Sequence, residues 1–309
     1  MITLEEAQGL LLKETKVNDI EEVNIFNSLG RVLAEDILSP IDSPPFNKSP
    51  LDGYAVIAKS LEGVSKENPR ILKVIDKVFA GEVSCKKVGD GEAIRIMTGA
   101  KIPKGADCIV KQEDTEALNE NEVRIFVSHK AYDNFIYQGE DFKRGIKIIN
   151  KDKFLASSII TAIASLGISK VKVYKKPIVG IITTGDELQE PGEELKEGKI
   201  FNSNKAFLYT RLLELGAEPR IFDIAKDSIE GIVSVVEKAE KECQIIISTG
   251  GVSVGEKDLV LRAVESIGYR RLFWKISMKP GSPMFSAVKN GVIYIGLSGT
   301  PVARSEEHT

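Results

Sequence analysis

The C-terminal half of the chain contains the stretch Ile245-Ile-Ile-Ser-Thr-Gly-Gly-Val-Ser-Val-Gly-Glu-Lys-Asp258. Its apolar start is typical of a strand buried on both faces, and the hydroxyl residues and glycines that follow end that strand. Apolar residues then recur at Leu261, Val264 and Ile267, which predicts a helix ending at Gly268. Because a glycine-rich turn exposes backbone N–H groups where a helix begins, this stretch predicts an anion site. An ordinary strand-to-helix loop stays open as the alternative.

Composition limits the classes of protein to which this chain can belong. It has 309 residues, with 45 acidic and 42 Lys or Arg side chains and a net charge of −3, so no basic surface for nucleic acid is indicated. Its three cysteines lie far apart, which indicates neither a zinc site nor a disulfide framework. The N-terminus is acidic, and no apolar run approaches the roughly 18 residues of a membrane span. We therefore expect a cytoplasmic protein with no nucleic-acid or membrane partner.

Proline and turn residues divide the chain into predicted domains. The prolines at positions 40, 44 and 45 predict an extended crossing, and short alternating strands from Tyr54 to Val127 predict a small, mostly-β domain. From Lys176 strands alternate with helices, one of them capped by Asp227, which predicts a three-layer α/β domain around a parallel sheet. The predicted fold class is thus α/β and mixed, with several domains. The predicted domains are a discontinuous domain (1–45 and 131–175), the mostly-β domain (46–130) and the α/β domain (176–303), followed by a non-native tail (304–309).

Two predicted strand-end loops carry side chains suited to a ligand, since parallel α/β sheets bind ligands at the carboxyl ends of their strands. These loops are Thr183–Leu188 and Thr249–Asp258, and each combines Thr-Gly with acids. Carboxylates beside a phosphate-binding turn are typical ligands of Mg²⁺. Lys275 and Lys279, next to a Pro-Gly turn, suit an anionic phosphate ester, although surface lysines are usually only solvated. Five acids are predicted at this edge: Asp186, Glu187, Asp227, Glu256 and Asp258.

Polar residues in the mostly-β part are explained by turns when each is taken alone. Asp52-Gly53 is a strong turn signal, and Gly139-Glu-Asp141 falls in a polar turn before a strand. Their order along the chain, together with the strand-end loops, is more informative than any one of them.

That order resembles the molybdopterin molybdenumtransferase family, to which the E domain of gephyrin is related. The resemblance extends over residues 1 to 303. Two segments depart from the family pattern: Ser49-Pro-Leu-Asp52 keeps the acid, whereas Gly296-Leu-Ser-Gly-Thr-Pro301 lacks an asparagine that the family often has. The matching segments are Gly30–Ile37, Pro44–Ala55, Met97–Ala100, Gly139–Asp141, Thr183–Leu188, Asn202-Ser-Asn204, Thr249–Asp258, Lys279–Pro283 and Gly296–Pro301.

The resemblance implies an elongated multidomain protein that forms a homodimer and builds its site between subunits. It implies that adenylylated molybdopterin binds with Mg²⁺ and molybdate, that AMP is released, and that molybdenum is inserted. A small C-terminal β-domain would follow residue 303.

The resemblance also implies roles for individual residues, and it places Asp52, Thr98 and Asp141 in a site shared with a second subunit. The expected catalytic residues are Asp52, Asp141, Asp186 and Asp258. The expected substrate-binding residues are Thr98, Thr184, Gly185, Asn204, Thr249, Gly250, Gly251, Ser253, Lys275, Lys279, Pro280, Gly281 and Pro301. The expected metal ligands are Asp186, Glu187, Asp227, Glu256 and Asp258.

Two other functions stay open from the sequence. One is a molybdopterin-binding or scaffold module without turnover, which has no need of the acids. The other is a nucleotide pyrophosphatase built on the same α/β domain, against which the upstream β-domain argues.

Overall fold

The computed structural model describes residues 1–251, 259–278 and 282–299. None of the helices within these ranges is long and apolar enough to cross a membrane. The helices are α1 (Leu4–Glu14), α2 (Ser157–Ser165), α3 (Ser203–Glu214), α4 (Ile229–Ala239) and α5 (Leu259–Ser266). The strands are β1 (Ile20–Asn24), β2 (Ile37–Leu38), β3 (Gly53–Val56), β4 (Arg70–Val78), β5 (Glu92–Ile96), β6 (Cys108–Lys111), β7 (Thr115–Asn119), β8 (Glu122–Ile125), β9 (Lys147–Ile149), β10 (Lys170–Tyr174), β11 (Ile178–Thr183), β12 (Leu188–Gln189), β13 (Ile200–Phe201), β14 (Glu218–Ile221), β15 (Ile245–Thr249), β16 (Arg270–Trp274), β17 (Met284–Lys289) and β18 (Val292–Leu297).

The chain divides into two compact units. The first unit comprises Met1–Ala34 and Val171–Thr309, and the second comprises Glu35–Lys170. The first thirty-four residues therefore pack with the C-terminal half of the chain. The finer division into three predicted domains stays a prediction.

A six-stranded mixed sheet forms the centre of the first unit. Its strand order is β14-β11-β15-β18-β17-β16, and the first four of these strands run parallel to one another. The predicted parallel sheet is confirmed for those four strands. The edge strands β17 and β16 pair antiparallel. The sequence pattern does not predict them, because two arginines open β16 and Pro283 directly precedes β17.

Helices cover both faces of this sheet and produce the predicted three layers. Side chains alternate between the faces of a strand, so neighbouring residues of β11 belong to different cores. Ile181 lies in the core formed with Leu208 and Leu212 of α3, whereas Ile182 lies in the core formed with Ile232 of α4 and with α5. The sheet is thus held between helices, and its carboxyl edge is left to the loops.

The N-terminal helix packs on the edge strand of the same sheet. Thr3 Oγ1 accepts a hydrogen bond from the backbone N–H of Glu6 at 3.1 Å, and the Glu6 carboxylate accepts one from the backbone N–H of Thr3 at 2.8 Å. This reciprocal cap satisfies two N–H groups at the start of α1. Ala7 of α1 then packs with Phe273 of β16 and with Ile276.

A second six-stranded sheet, β6-β3-β5-β4-β8-β7, forms the centre of the second unit. Both faces of this sheet are buried, since Tyr54 and Val56 of β3 lie in one apolar core and Ala55 lies in another. The predicted mostly-β character of this part of the chain is confirmed.

The prediction that Gly53 lies in a turn with Asp52 is wrong. Gly53 is the first residue of β3 and has strand partners on both sides, in β5 and β6. A Cβ on Gly53 would lie 2.0 Å from the carbonyl oxygen of Val110. The position requires glycine because two backbones approach each other closely there, not because the chain turns.

Candidate functional site

The loops that follow β11, β15 and β18 meet at the carboxyl edge of the first unit's sheet. In the parallel register of these strands Thr183 lies opposite Thr249, and Thr249 lies opposite Leu297. The prediction that the loop after Thr183 and the loop after Thr249 share one edge is therefore confirmed for the described residues.

Backbone atoms of these loops approach one another closely. Gly250 has a φ of 93°, and a Cβ there would lie 2.4 Å from the carbonyl oxygen of Thr184. Gly251 has a φ of 66°, and a Cβ there would lie 3.3 Å from Thr184 Oγ1. A Cβ on Gly299, after β18, would lie 3.3 Å from Gly250 Cα. The three strand ends thus form a surface of backbone, which we call the glycine cradle, with Thr184, Gly250 and Gly299 as its members.

Backbone hydrogen bonds fix the cradle. Thr184 N donates to Thr249 O at 2.9 Å, and Gly250 N donates to Leu297 O at 3.2 Å. The ladder of the parallel sheet therefore continues into the loops, and the cradle is held by the same bonds that hold the strands.

Two asparagines join the first turn of α3 to the ends of two strands. Asn202 is the N-cap of α3, is almost fully buried, and donates from Nδ2 to Thr183 Oγ1 at 2.9 Å. Asn204 donates from Nδ2 to the carbonyl oxygen of Gly299 at 2.9 Å. Asn204 is among the expected site residues, but Asn202 is not. It lies two residues before Asn204 in the matching segment Asn202-Ser-Asn204, and asparagine is a good helix N-cap, so these are the sequence signals that could have identified it.

A small, open cleft with a cavity volume of about 70 Å³ lies over the cradle. Four of the expected residues line it: Thr184, Asn204, Thr249 and Gly250. Glu187, an expected metal ligand, lines it as well. The remaining lining residues are Leu188, Ile200, Phe201, Asn202, Ser203 and Gly299.

The two acids after β11, Asp186 and Glu187, are exposed, and Glu187 lies at the rim of this cleft. Gly185 has a φ of 142°, and a Cβ there would lie 2.5 Å from Glu187 Oε2, so the Glu187 carboxylate lies against the Gly185 backbone. Asp186 is exposed, and its backbone carbonyl accepts a hydrogen bond from Lys199 Nζ. A side chain at Gly185 would displace the Glu187 carboxylate.

Asp227 is exposed and does not cap α4, contrary to the sequence-based prediction. The N-cap is the next residue, Ser228, whose Oγ accepts from the backbone N–H of Gly231 at 3.0 Å. Both residue types are good caps, so the helix start alone does not decide between neighbours. Ala225, just before Asp227, forms a parallel bridge with Thr184.

Within the ranges 1–251, 259–278 and 282–299, no three His, Cys, Asp or Glu side chains are arranged to hold a metal ion. Asp186, Glu187 and Asp227 therefore do not form a three-ligand site among themselves. The other two expected ligands, Glu256 and Asp258, lie outside the described residues.

Lys275 lies at the same edge of the sheet but away from the cradle. It follows β16, which is three strands from β15, or roughly 14 Å at the usual strand spacing. Its Nζ lies 4.2 Å from the centre of the Trp274 ring. The cleft described above does not include Lys275.

In the second unit, two expected site residues contact each other directly. Asp52 Oδ1 accepts hydrogen bonds from the backbone N–H and the side-chain hydroxyl of Thr98, both at 2.7 Å. These two bonds, with the charge of Arg95, hold the pKa of Asp52 below its ordinary value. Asp52 is therefore a carboxylate at neutral pH, with one oxygen occupied by Thr98.

Asp141 also lies in the second unit. Its backbone N–H donates to Ser43 O at 2.8 Å, and its Oδ2 accepts from Ser43 Oγ at 3.3 Å. These contacts attach the polar turn to the proline-rich segment that precedes β3.

Several expected site residues fall outside the described ranges: Ser253, Glu256, Asp258, Lys279, Pro280, Gly281 and Pro301. The predicted non-native tail at 304–309 also lies outside them.

Comparison with known proteins covers both units. Residues 2–167 match the family model described as "MoeA N-terminal region (domain I and II)", and residues 180–306 match the model described as "Probable molybdopterin binding domain". The molybdopterin molybdenumtransferase of Staphylococcus epidermidis is 40% identical over 303 residues, which are 98% of this chain and 72% of that protein. The enzyme of the same name from Bacillus subtilis is 39% identical over 306 residues, 98% of this chain and 71% of that protein.

A solved structure agrees with the sequence comparisons. The molybdopterin biosynthesis MoeA protein of Pyrococcus horikoshii superposes with a TM-score of 0.85 at 36% identity, covering 97% of this chain and 75% of that one. The two family models and these relatives together cover nearly the whole chain. The chain belongs to the molybdopterin molybdenumtransferase family, whose members are transferases of molybdenum cofactor biosynthesis.

Proposed function

We propose that this protein inserts molybdate into adenylylated molybdopterin, with Mg²⁺-dependent release of AMP. In this reaction water is added across the pyrophosphate bond between molybdopterin and AMP, which releases AMP. The two dithiolene thiols of molybdopterin then replace one oxide of molybdate, which leaves as water with the two thiol protons. Membership of the family supports the reaction class. The glycine cradle, with a carboxylate at its rim, is the observation that carries the finer assignment.

The cleft suits a ligand with an anionic centre and flat apolar ends. Its floor consists of the cradle, of Thr249 and of the first turn of α3. The Thr184 and Gly250 N–H groups donate to protein carbonyls, so the part of the floor that favours an anion is the N-terminus of α3. Its wall is apolar and contains Leu188, Ile200 and Phe201. Adenylylated molybdopterin has a diphosphate between two heterocycles, so its charge and its rings match the floor and the wall respectively.

The residues at the rim fit Mg²⁺ bound in its usual manner. This ion typically uses one or two carboxylates together with substrate phosphates and retained waters, and it does not need a three-ligand protein cage. Glu187, which lines the cleft, would hold it, with Asp186 as its neighbour. When bound, the ion would neutralise charge that develops on the phosphates.

We further propose that two copies of the chain form a homodimer in which Asp52, Thr98 and Asp141 of one copy act at the site of the other. The support is the resemblance of the segments that carry these residues to the family; the contact between Asp52 and Thr98 keeps Asp52 ionised and oriented within its own copy. A cytoplasmic location stays a prediction from composition.

The test of this function is AMP release from adenylylated molybdopterin. The purified chain is incubated with the substrate and Mg²⁺, with and without molybdate, and AMP is quantified. Inserted molybdenum is measured by activation of a cofactor-free molybdoenzyme. We expect AMP release that requires Mg²⁺ and rises with molybdate, together with activation.

The alternatives give different results in the same assay. If AMP is released at the same rate with and without molybdate, and the cofactor-free molybdoenzyme is not activated, the protein is a nucleotide pyrophosphatase. Tight binding of the substrate with no AMP release would show a binding or scaffold module.

A further inference from the structure

The first turn of α3 is bonded to two strands that flank β15. Asn202 holds Thr183 at the end of β11, and Asn204 holds Gly299 after β18. Because β15 lies between β11 and β18 in the sheet, the two bonds span the strand that leads to Gly250. We call this pair of residues the asparagine clamp.

The two bonds of the clamp differ in what their acceptors can do. Asn202 bonds a hydroxyl, Thr183 Oγ1, which can also donate. Asn204 bonds a backbone carbonyl, Gly299 O, which can only accept. An acid in place of Asn202 could thus still be bonded by Thr183 and could still cap α3, whereas an acid in place of Asn204 would repel its partner.

The Asn204 bond holds the carbonyl of Gly299, whose backbone lies against Gly250. A Cβ on Gly299 would be 3.3 Å from Gly250 Cα, so the two backbones are already in contact. Gly250 is in turn fixed against Thr184, where a Cβ would lie 2.4 Å from the carbonyl oxygen. Loss of the Asn204 bond would therefore widen the cradle at Gly299 only. Thr184 and Gly250 stay in place because the hydrogen bonds of the sheet hold them.

We propose that the asparagine clamp sets the width of the glycine cradle for a diphosphate group, and that Asn204 is a positioning residue acting through Gly299. The proposal rests on the proposed function and deepens it, since it assigns the cradle to the diphosphate part of the substrate. One N–H of the Asn204 amide is donated to Gly299 O, and this bond is the one through which the residue would act on the cradle.

The binding test uses inorganic pyrophosphate as the probe, measured by isothermal titration calorimetry on the whole chain. Asn204→Asp removes the donor, and we expect the dissociation constant to rise about tenfold or more, the equivalent of one lost hydrogen bond of about 1.4 kcal/mol. Asn202→Asp adds the same charge in the same turn but keeps its bond, so its loss is expected to be several-fold smaller. Equal losses of pyrophosphate affinity in Asn204→Asp and Asn202→Asp would contradict the proposed role of the asparagine clamp.

Two further variants separate positioning from charge. Asn204→Leu has a similar volume, no charge and no donor, and it is expected to weaken pyrophosphate binding as Asn204→Asp does. Parental binding in Asn204→Leu would reduce the effect to charge repulsion and overturn the proposal. Asn18→Asp is the control for losing an amide-to-carbonyl hydrogen bond far from the cleft. It removes the exposed bond from Asn18 Nδ2 to Lys175 O, at 3.0 Å in the same unit.

A double-mutant cycle tests whether Asn204 acts through Gly299. Gly299→Ala places a Cβ against Gly250 and disturbs the same contact from the other side. We expect the effects of Asn204→Leu and Gly299→Ala on pyrophosphate binding to be non-additive. Additive effects would mean that Asn204 contacts the ligand itself, and the positioning role would be wrong.

Hydrogen exchange in the free protein tests the clamp without any ligand. The Gly250 amide, which donates to Leu297 O, should exchange faster in Asn204→Leu than in the parent, and Asn18→Asp should leave it unchanged. Unchanged exchange in Asn204→Leu would overturn the clamp. A different result would be faster exchange of the Gly250 amide in Asn204→Leu together with no pyrophosphate binding by the parent protein. That result would keep the clamp but overturn the diphosphate assignment and the proposed function, so failure of the clamp and failure of the function are distinguishable.

Discussion

The carbonyl oxygen of Thr184 occupies space that a side chain on Gly250 would need. A Cβ on Gly250 would lie 2.4 Å from that oxygen and 2.8 Å from Thr184 Oγ1, and the Gly250 φ is 93°. Two neighbouring parallel strands therefore end in backbones that touch, and only glycine permits it. This contact creates the floor of the cleft.

Gly250→Ala should reduce both stability and activity. Its clash cannot be relieved without moving one strand end, so the free energy of unfolding should fall by about 1–3 kcal/mol more than in a matched control. Gly192→Ala is that control, because Gly192 has a φ of 98° with open space around it. Chemical denaturation measures the difference, and equal losses in the two variants would contradict a tight contact at Gly250.

The parts of the site that could be predicted from the sequence are those that depend on neighbours in the chain. Apolar runs at Ile245–Ile247 and Ile178–Ile182 followed by glycines identify buried strands and their loops, and parallel pairing then brings the loops together. The partners across the fold could not be predicted. Asn202 contacts Thr183 only because α3 starts beside the end of β11, and no local pattern records that position.

Local competition explains the other differences. Asp227 and Ser228 are both suitable caps, and the choice between them depends on the path of the chain from Ala225, which pairs with Thr184. The sequence predicts a turn at Gly53 because Asp-Gly is a turn signal. Gly53 instead lies in a strand and packs against Val110 of β6, which is more than fifty residues later in the chain.

Glu187→Gln should weaken Mg²⁺ binding without changing the stability of the folded protein. The carboxylate is exposed at the rim of the cleft, so the folded protein loses little, but the ion loses a charged ligand. The Mg²⁺ concentration for half-maximal AMP release should rise at least about tenfold. Glu193→Gln, an exposed acid in the following loop, is the control, and an unchanged Mg²⁺ requirement in Glu187→Gln would remove this residue from the metal site.

Thr98→Val should raise the pKa of Asp52 toward its ordinary value, because one of the two Thr98 donors is lost. Asp52 has a lowered folded pKa, so its contribution to stability is present at neutral pH. That contribution is lost as pH falls through the folded pKa, below 3.8. NMR titration of the carboxyl carbon measures the shift. Thr98→Ser keeps the hydroxyl and should retain the lowered pKa, and an equal rise in both variants would contradict the role of that hydroxyl.

Native protein should react with a thiol reagent at one cysteine of the three in the chain. Burial raises the pKa of Cys108 to about 12 and that of Cys243 to about 11, whereas Cys85 is exposed. Mass spectrometry after brief iodoacetamide treatment at pH 8 should show a single adduct at Cys85, and three adducts after unfolding. Since Cys108 and Cys243 lie in different units, a second native adduct would identify which core is not packed as described.

The most direct test of whether the cleft over the glycine cradle binds the substrate's phosphate is an experimental structure of the chain crystallised with AMP and Mg²⁺. We expect the AMP phosphate in the cleft, hydrogen-bonded beside Thr184, Asn204 and Gly299, with the ion between that phosphate and Glu187. AMP bound at any other surface while this cleft stays empty would contradict it.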